Sequence, residues 1–157
     1  MTNADWRIVP LDETLLAQWA TLRQQLWPHH EMAAHLQEGA ELLTTAHLNA
    51  FLVLDAQNQA VAFADAALRH DYVNGCESSP VVYLEGVYVQ PASRRRGLAQ
   101  ALIARVAQWG RELGCRELGC RELASDAAID NLASQQLHQR LGFAETERVV
   151  FFKKALG

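Results

Sequence analysis

Residues 81–113 constrain the fold more than any other stretch of the chain. Val81–Val89 is rich in valine and tyrosine, which suits a buried central strand. Pro91 prevents that strand from continuing. After Arg94-Arg95-Arg96-Gly97, the apolar residues Leu98, Leu102, Val106 and Trp109 mark one face of a helix over 98–113. A strand that passes through so short a turn sets the helix N-terminus beside its own C-terminal end. Unpaired backbone N–H groups and the positive end of the helix dipole meet there, and both favour an anion. Gly97 lets a ligand approach the backbone closely, and the three arginines add charge. The segment reads as a site for a pyrophosphate or a nucleotide diphosphate. It lacks the Lys-Ser/Thr ending of a P-loop. Outside this strand–turn–helix context the same arginines would be only an exposed basic turn.

The flanking sequence supplies the other layers. Residues 6–9 predict a short strand closed by Pro10. Asp12 is placed to cap a helix over 13–26, where Leu15, Trp19, Leu22 and Leu26 share one face. Trp27-Pro28-His29-His30 breaks that helix, and a second runs over about 31–46. Residues 50–54 and 61–68 predict a hairpin around the polar turn 55–59, although the many alanines of the second strand weaken its signal. A further strand lies within 118–125. A helix follows over 131–141, capped near Asp130 and ended by Gly142. A last strand is expected over 146–153, where Val149, Val150, Phe151 and Phe152 form a continuous apolar run. The pentapeptide Arg-Glu-Leu-Gly-Cys stands twice in tandem at 111–115 and 116–120, and reads as a duplication within a connector. The alternation of elements predicts one domain over 1–157 of the α/β (α+β) class, with a mixed sheet flanked by helices.

Charge is divided unevenly. Residues 1–90 hold eleven acids and three bases, whereas 91–157 hold seven acids and eleven bases. The acidic first half argues against nucleic acid as a partner. No apolar run approaches the roughly 20 residues of a membrane span, and residues 1–12 lack the pattern of a secretory signal. Neither a membrane nor a nucleic acid is expected as partner. Three cysteines make no even framework, so a reducing cytoplasm is the simpler expectation. Cys115 and Cys120 are not at a metal-ligand spacing, and no metal is expected.

Arg94-x-x-Gly97-x-Ala99 resembles the Q/R-x-x-G-x-G/A motif of the GNAT superfamily of N-acetyltransferases, and the predicted element order is similar over almost the whole chain. The resemblance implies a splayed mixed sheet with acetyl-CoA between the fourth and fifth strands. It implies that the backbone of Arg95, Arg96, Gly97, Leu98, Ala99 and Gln100 holds the pyrophosphate. Val87, Tyr88 and Val89 would meet the pantetheine arm and the acetyl carbonyl. A second segment, Asn131-x-x-Ser134-x-x-Leu137-His138-x-Arg140-x-Gly142-Phe143, resembles another superfamily pattern. It puts Asn131 on the pantetheine arm. His138 stands where many members carry a tyrosine, the general acid of the superfamily.

Patches outside that motif are similar to the aminoglycoside 6'-N-acetyltransferases. They are Leu26-Trp27-Pro28, Tyr72-Val73-Asn74-Gly75, Tyr83-Leu84-Glu85-Gly86, Ala124-Ser125-Asp126-Ala127, Asp130-Asn131 and Glu145-Thr146-Glu147-Arg148-Val149-Val150. This resemblance implies an acceptor pocket of Trp27, His30, Tyr72, Glu85, Asp126 and Glu147, and a homodimer. Aminoglycosides are polycations, so acids in the pocket fit them, and a base must free the acceptor amine. Glu85 is the expected base and Asp126 its helper; strand alternation would set Glu85 and Val87 on one face. The expected reaction is direct attack of the amine on acetyl-CoA in a ternary complex. Read from the residues alone, Glu85 fits equally a structural carboxylate paired with an arginine, and His138 fits a satisfied core histidine. Other acceptors, such as a polyamine or a peptide N-terminus, and a non-catalytic acetyl-CoA-binding module remain alternatives.

Overall fold

A computed structural model describes residues 5–114 and 120–157. Its elements run β1 (Trp6–Pro10), α1 (Leu16–Leu26), α2 (Met32–Leu43), β2 (Leu48–Asp55), β3 (Ala60–Arg69), β4 (Val81–Val89), α3 (Leu98–Gly114), β5 (Leu123–Ser125) and α4 (Leu132–Arg140). The strands form one sheet in the order β1-β2-β3-β4-β5. The first four are antiparallel neighbours, and β5 joins β4 in parallel. The mixed sheet flanked by helices agrees with the expected fold class.

Side chains of opposite parity separate two cores across the sheet. On one side Ala62, Ala64 and Ala66 of β3 and Val82 and Leu84 of β4 pack under Leu98, Leu102 and Val106 of α3. The alanines that weaken the strand signal in β3 are what let the helix lie close. On the other side Leu52, Leu54 and Phe63 meet Trp19, Ala20 and Leu22 of α1. Asp12 does cap the entry to α1, through a 3-10 turn at Glu13–Leu15 in which its carboxylate accepts the N–H of Thr14. The cap of α4 is Asn131 rather than Asp130, with its side-chain oxygen on the N–H of Ser134.

Two expectations change. The first copy of the duplicated pentapeptide is not connector, because Arg111 to Gly114 continue α3. The duplication adds to the end of a helix there, while Cys115 and the start of the second copy lie outside the described residues. The strand expected at 146–153 is also absent. Residues 144–157 carry no regular structure and are exposed, with Phe151 93% and Phe152 92% accessible. An apolar run without alternation suits a strand covered on both faces. The neighbouring edge strand, β5, is three residues long and gives such a segment little to pair with.

Candidate active site

The C-terminal half of β4 stands open. β5 pairs with β4 only from Val82↔Leu123 to Leu84↔Ser125, so 85–89 have no ladder partner on that side among the described residues. The Gln90 N–H bonds the Val61 carbonyl on the β3 side, so by alternation Tyr88 also faces β3, while main-chain groups at Val87 and Val89 point to the open side and can bind an extended chain there. The turn beyond is shaped for an anion: Arg95 (φ 66) and Gly97 (φ 75) are both left-handed, which turns backbone N–H groups outward at the start of α3. Arg95 and Arg96 are exposed, whereas Leu98 is buried and anchors the first helical turn. Arg94 is occupied elsewhere. Its Nε donates to the carbonyl of Val89 at 2.8 Å, and its guanidinium lies 5.7 Å from the Tyr88 ring centroid. That bond takes the Val89 carbonyl away from any ligand. The open strand and outward N–H groups fit a long anionic ligand recognised by main chain. A second cavity of about 390 Å³ borders Arg96, but Asp5 and Asp55 also line it and would repel a polyphosphate.

A β-bulge places Glu85. Asp65 pairs with Gly86 and Ala66 with Leu84, which leaves Glu85 without a cross-strand partner. The bulge breaks the alternation, so the expected common face of Glu85 and Val87 is wrong. Val87 packs into the core under α3, while Glu85 opens into a cavity on the opposite side, beside α1 and α2. Gly86 faces that side too, and its missing side chain admits Trp27. A Cβ there would stand 2.5 Å from a ring carbon of Trp27.

This cavity measures about 390 Å³ and is lined by Trp27, His30, Glu38, Glu41, Asp65 and Glu85, with Arg23 beneath. It brings together three of the six acceptor residues expected from sequence: Trp27, His30 and Glu85. Trp27 follows α1 and meets Phe63 edge-on, with ring centroids 6.2 Å apart. Arg23 lies between two indoles, 4.5 Å from the Trp19 centroid and 4.9 Å from that of Trp27. It bonds Glu38 at 2.6 Å and approaches Asp65 at 3.4 Å. Asp65 also accepts the Trp19 indole N–H at 2.8 Å. Burial raises the Asp65 carboxyl from 3.8 to about 7, against the pull of Arg23 and of the indole bond. Sequence reasoning missed Arg23, Glu38, Glu41 and Asp65. For Arg23 a signal existed, because Trp19, Arg23 and Trp27 repeat every four residues and so share one face. The acids of α2 look like any solvated helix face.

The other three expected residues, Asp126, Tyr72 and Glu147, are not among those that line this cavity. Asp126 follows β5 and accepts the phenol of Tyr83. Burial, then that hydrogen bond, raises the phenol's pKa. Tyr72 is exposed in the loop after β3. Glu147 is exposed in the C-terminal segment, but its neighbour Thr146 packs against Gly75 of the Tyr72 loop, where a Cβ would overlap it. Glu85 carries the arginine partner that a structural carboxylate would have: Arg69 Nη2 lies 2.9 Å from its Oε1. That pair is more than a third exposed on both sides, so it is not a buried structural bridge. His138 is satisfied by Ser125 Oγ at 2.8 Å and by the Ser134 carbonyl at 2.7 Å, as a core histidine would be. Asn131 uses its side-chain oxygen in the cap, which leaves its amide NH₂ for a ligand. Among the described residues no group of three His, Cys, Asp or Glu could hold a metal ion. No helix there is long and apolar enough to cross a membrane.

Residues 13–143 match the acetyltransferase (GNAT) family. Among curated proteins, an aminoglycoside N(6')-acetyltransferase type 1 from Salmonella enteritidis is 52% identical over 144 residues, covering 92% of this chain and 95% of that protein. Among solved structures, AAC(6')-Iy in complex with a bisubstrate analog, CoA-S-monomethyl-acetylneamine, superposes with a TM-score of 0.88 at 51% identity. It covers 96% of this chain and 98% of its own. The aminoglycoside 6'-N-acetyltransferase AAC(6')-Ih from Acinetobacter baumannii gives a TM-score of 0.90 at 46% identity, covering 97% and 99%.

Proposed function

This chain belongs to the acetyltransferase (GNAT) family, and from that premise we infer its reaction: it transfers the acetyl group of acetyl-CoA to the 6'-amino group of aminoglycosides. The observation that carries this reading is the acid-lined cavity beside Glu85, which adjoins the open half of β4. A polycation needs the first and a pantetheine thioester the second. Identity of 52% with an aminoglycoside enzyme over nine-tenths of the chain supports the acceptor class. Acetylation removes one positive charge from the drug, which is how the activity confers antibiotic resistance.

In this reading the residues take these roles. Arg95, Arg96, Gly97, Leu98, Ala99 and Gln100 hold the pyrophosphate at the start of α3. Val87 meets the pantetheine arm with main-chain groups, Tyr88 lies beside it with its own main chain turned to β3, and Asn131 donates to it. Val89 is given a smaller part than sequence suggests, because Arg94 holds its carbonyl. Trp27 and His30 wall the acceptor pocket, Tyr72 and Glu147 flank its rim, and Glu85 and Asp126 hold the amine. Glu85 takes the ammonium proton, directly or through one water. The free amine attacks the thioester carbonyl carbon, and backbone N–H at Val87 stabilises the oxyanion. The attacking nitrogen gives up its second proton to solvent as the C–S bond breaks, and the CoA thiolate takes a proton from solvent or a nearby acid. No acyl-cysteine is needed. Burial, with Glu122 beside it, pushes the Cys76 thiol up and away from the reactive thiolate.

A thiol-release assay with kanamycin and tobramycin tests the assignment. Glu85→Gln is expected to lower kcat at least about 100-fold, the scale of general-base loss, with CoA binding retained. No thiol release with any 6'-amino aminoglycoside overturns the acceptor class. Full activity of the variant overturns the base.

A homodimer covers the C-terminal segment in this reading. The outer edge of β5 and the exposed Val149, Val150, Phe151 and Phe152 belong to one chain, so two copies related by a two-fold axis can each donate and accept a strand. Two phenylalanines per copy would bury about 600–1,000 Å² in total, a large share of the roughly 1,600 Å² of a stable interface. Light scattering should give twice the 17.5 kDa chain mass, and F151E/F152E should halve it. A monomeric parent overturns this. A reducing, cytoplasmic setting completes the reading, in keeping with three cysteines and an acetyl-CoA substrate.

A further inference from the structure

Glu85 lies in β4 and Asp126 just after β5, yet Tyr83 and Arg69, the latter marked by no motif, join them. Arg69, the last residue of β3, bonds Glu85 Oε1 at 2.9 Å. Its guanidinium carbon also lies 3.7 Å from the centroid of the Tyr83 ring. The Tyr83 phenol in turn donates to Asp126 Oδ2. The register explains the stack. Ala67 pairs with Tyr83 and Arg69 with Val81, so Arg69 and Tyr83 are diagonal neighbours on one face.

Glu85 needs such support because it is the bulged residue. No ladder bond on the β3 side fixes its backbone, and its side chain has free torsions to lose. A planar guanidinium, itself held flat on an aromatic ring, is suited to fix a carboxylate in one orientation. Burial pulls the Arg69 pKa down, and the Glu85 hydrogen bond and charge more than reverse that, so the guanidinium keeps its charge. The pair is more than a third exposed, so an acceptor ammonium can reach the same carboxylate.

We propose that Arg69 is a positioning residue for acceptor acetylation: it orients the Glu85 carboxylate, and through the Tyr83 ring and phenol it ties that carboxylate to Asp126. The proposal rests on the reading of Glu85 as base. It assigns Arg69 and Tyr83 no direct contact with the acyl group.

Steady-state thiol release with tobramycin tests it. Arg69→Met is expected to lower kcat about 10-fold or more, with the KM for acetyl-CoA within about twofold of the parent. Arg69→Lys keeps the charge without the planar fork, and should fall between the two. Tyr83→Phe keeps the ring and should cost less than Arg69→Met. The deciding measurement is a cycle with Glu85→Gln. If Arg69 acts through Glu85, Arg69→Met slows the Glu85→Gln enzyme by less than about twofold. If Arg69→Met has the parent's kcat, or slows both backgrounds by the same factor, the proposal is overturned. Should Arg69→Met fail to fold, Arg69→Ala assayed with added guanidinium ion replaces it, and absence of rescue overturns the proposal. Full activity of Glu85→Gln itself would instead remove the base assignment. A slow Glu85→Gln with additive loss would remove only the role of Arg69.

Discussion

Gly86→Ala isolates the wall of the acceptor pocket with a single methyl group. The added Cβ would stand 2.5 Å from Trp27 Cη2 and 2.7 Å from Cζ2, and in ordinary contact with Leu26 Cδ2 at 3.5 Å. Carbon atoms prefer about 3.5–4.0 Å, so the indole must retreat by about 1 Å. It cannot swing freely, because Arg23 stacks on it at 4.9 Å and Phe63 meets its edge at 6.2 Å. Gly86 is not among the glycines with positive φ, so the backbone itself accepts alanine. Overpacking of this kind costs about 1–3 kcal/mol, and the lost flexibility of glycine in the unfolded chain returns about 0.4–1 kcal/mol. Folding should weaken by no more than about 2.6 kcal/mol. The displaced ring, however, moves in a site where about 1 Å of misplacement can cost 100-fold. The expected result is a KM for tobramycin raised at least about 10-fold, equivalent to about 1.4 kcal/mol. The KM for acetyl-CoA should stay within about twofold, because Trp27 lines a cavity that none of residues 94–97 borders. In a Trp27→Ala background the same substitution should have no further effect on KM. An unchanged acceptor KM in Gly86→Ala, with normal folding, would refute Trp27 as the pocket wall.

Asp65 ties stability to pH. The folded protein keeps a proton between the unfolded value of 3.8 and about 7 that the unfolded chain has lost, so stability falls as pH rises through that window. The full effect is about 4 kcal/mol, and Asp65→Asn should flatten the slope of the urea midpoint between pH 5 and 8; an unchanged slope counts against it. Gly110→Ala would press a Cβ into Val82 Cγ2, forcing α3 off β4. Less the gain of about 1 kcal/mol for alanine in a helix, a loss of about 1–2 kcal/mol should lower Tm by several degrees. A rise in Tm would show that the helix can shift freely. Glu41→Gln should raise the aminoglycoside KM about 3-fold or more and leave that of acetyl-CoA alone. An acceptor KM that stays the same removes α2 from the pocket.

Legibility in the sequence followed the range of the interaction that fixes each feature. The cofactor turn was readable because its parts are local. Valines fix β4, Pro91 ends it, and Gly97 with the periodic Leu98, Leu102 and Val106 starts α3. The cap at Asp12 was readable for the same reason. β3 was readable only faintly, since a strand of alanines makes sense only once α3 lies over it. The last strand was over-read, since an apolar run states that a partner exists without stating which.

Glu85 shows why the acceptor side was legible only in outline. Its residue type and its patch of sequence marked it as a site carboxylate, but alternation along β4 put it on the wrong face. The reversal comes from one unpaired position, and nothing in Tyr83-Leu84-Glu85-Gly86 alone shows where β3 slips register. The slip does two things together. It turns Glu85 and Gly86 toward α1, so that the glycine makes room for Trp27 and the carboxylate enters the same cavity. It also frees Glu85 from the ladder, so that its orientation falls to Arg69, from a strand end 16 residues away. A residue placed by a bulge and steered by a cross-strand arginine is defined by register. Register is set by pairing over the whole sheet, and that pairing was what local patterns could not supply.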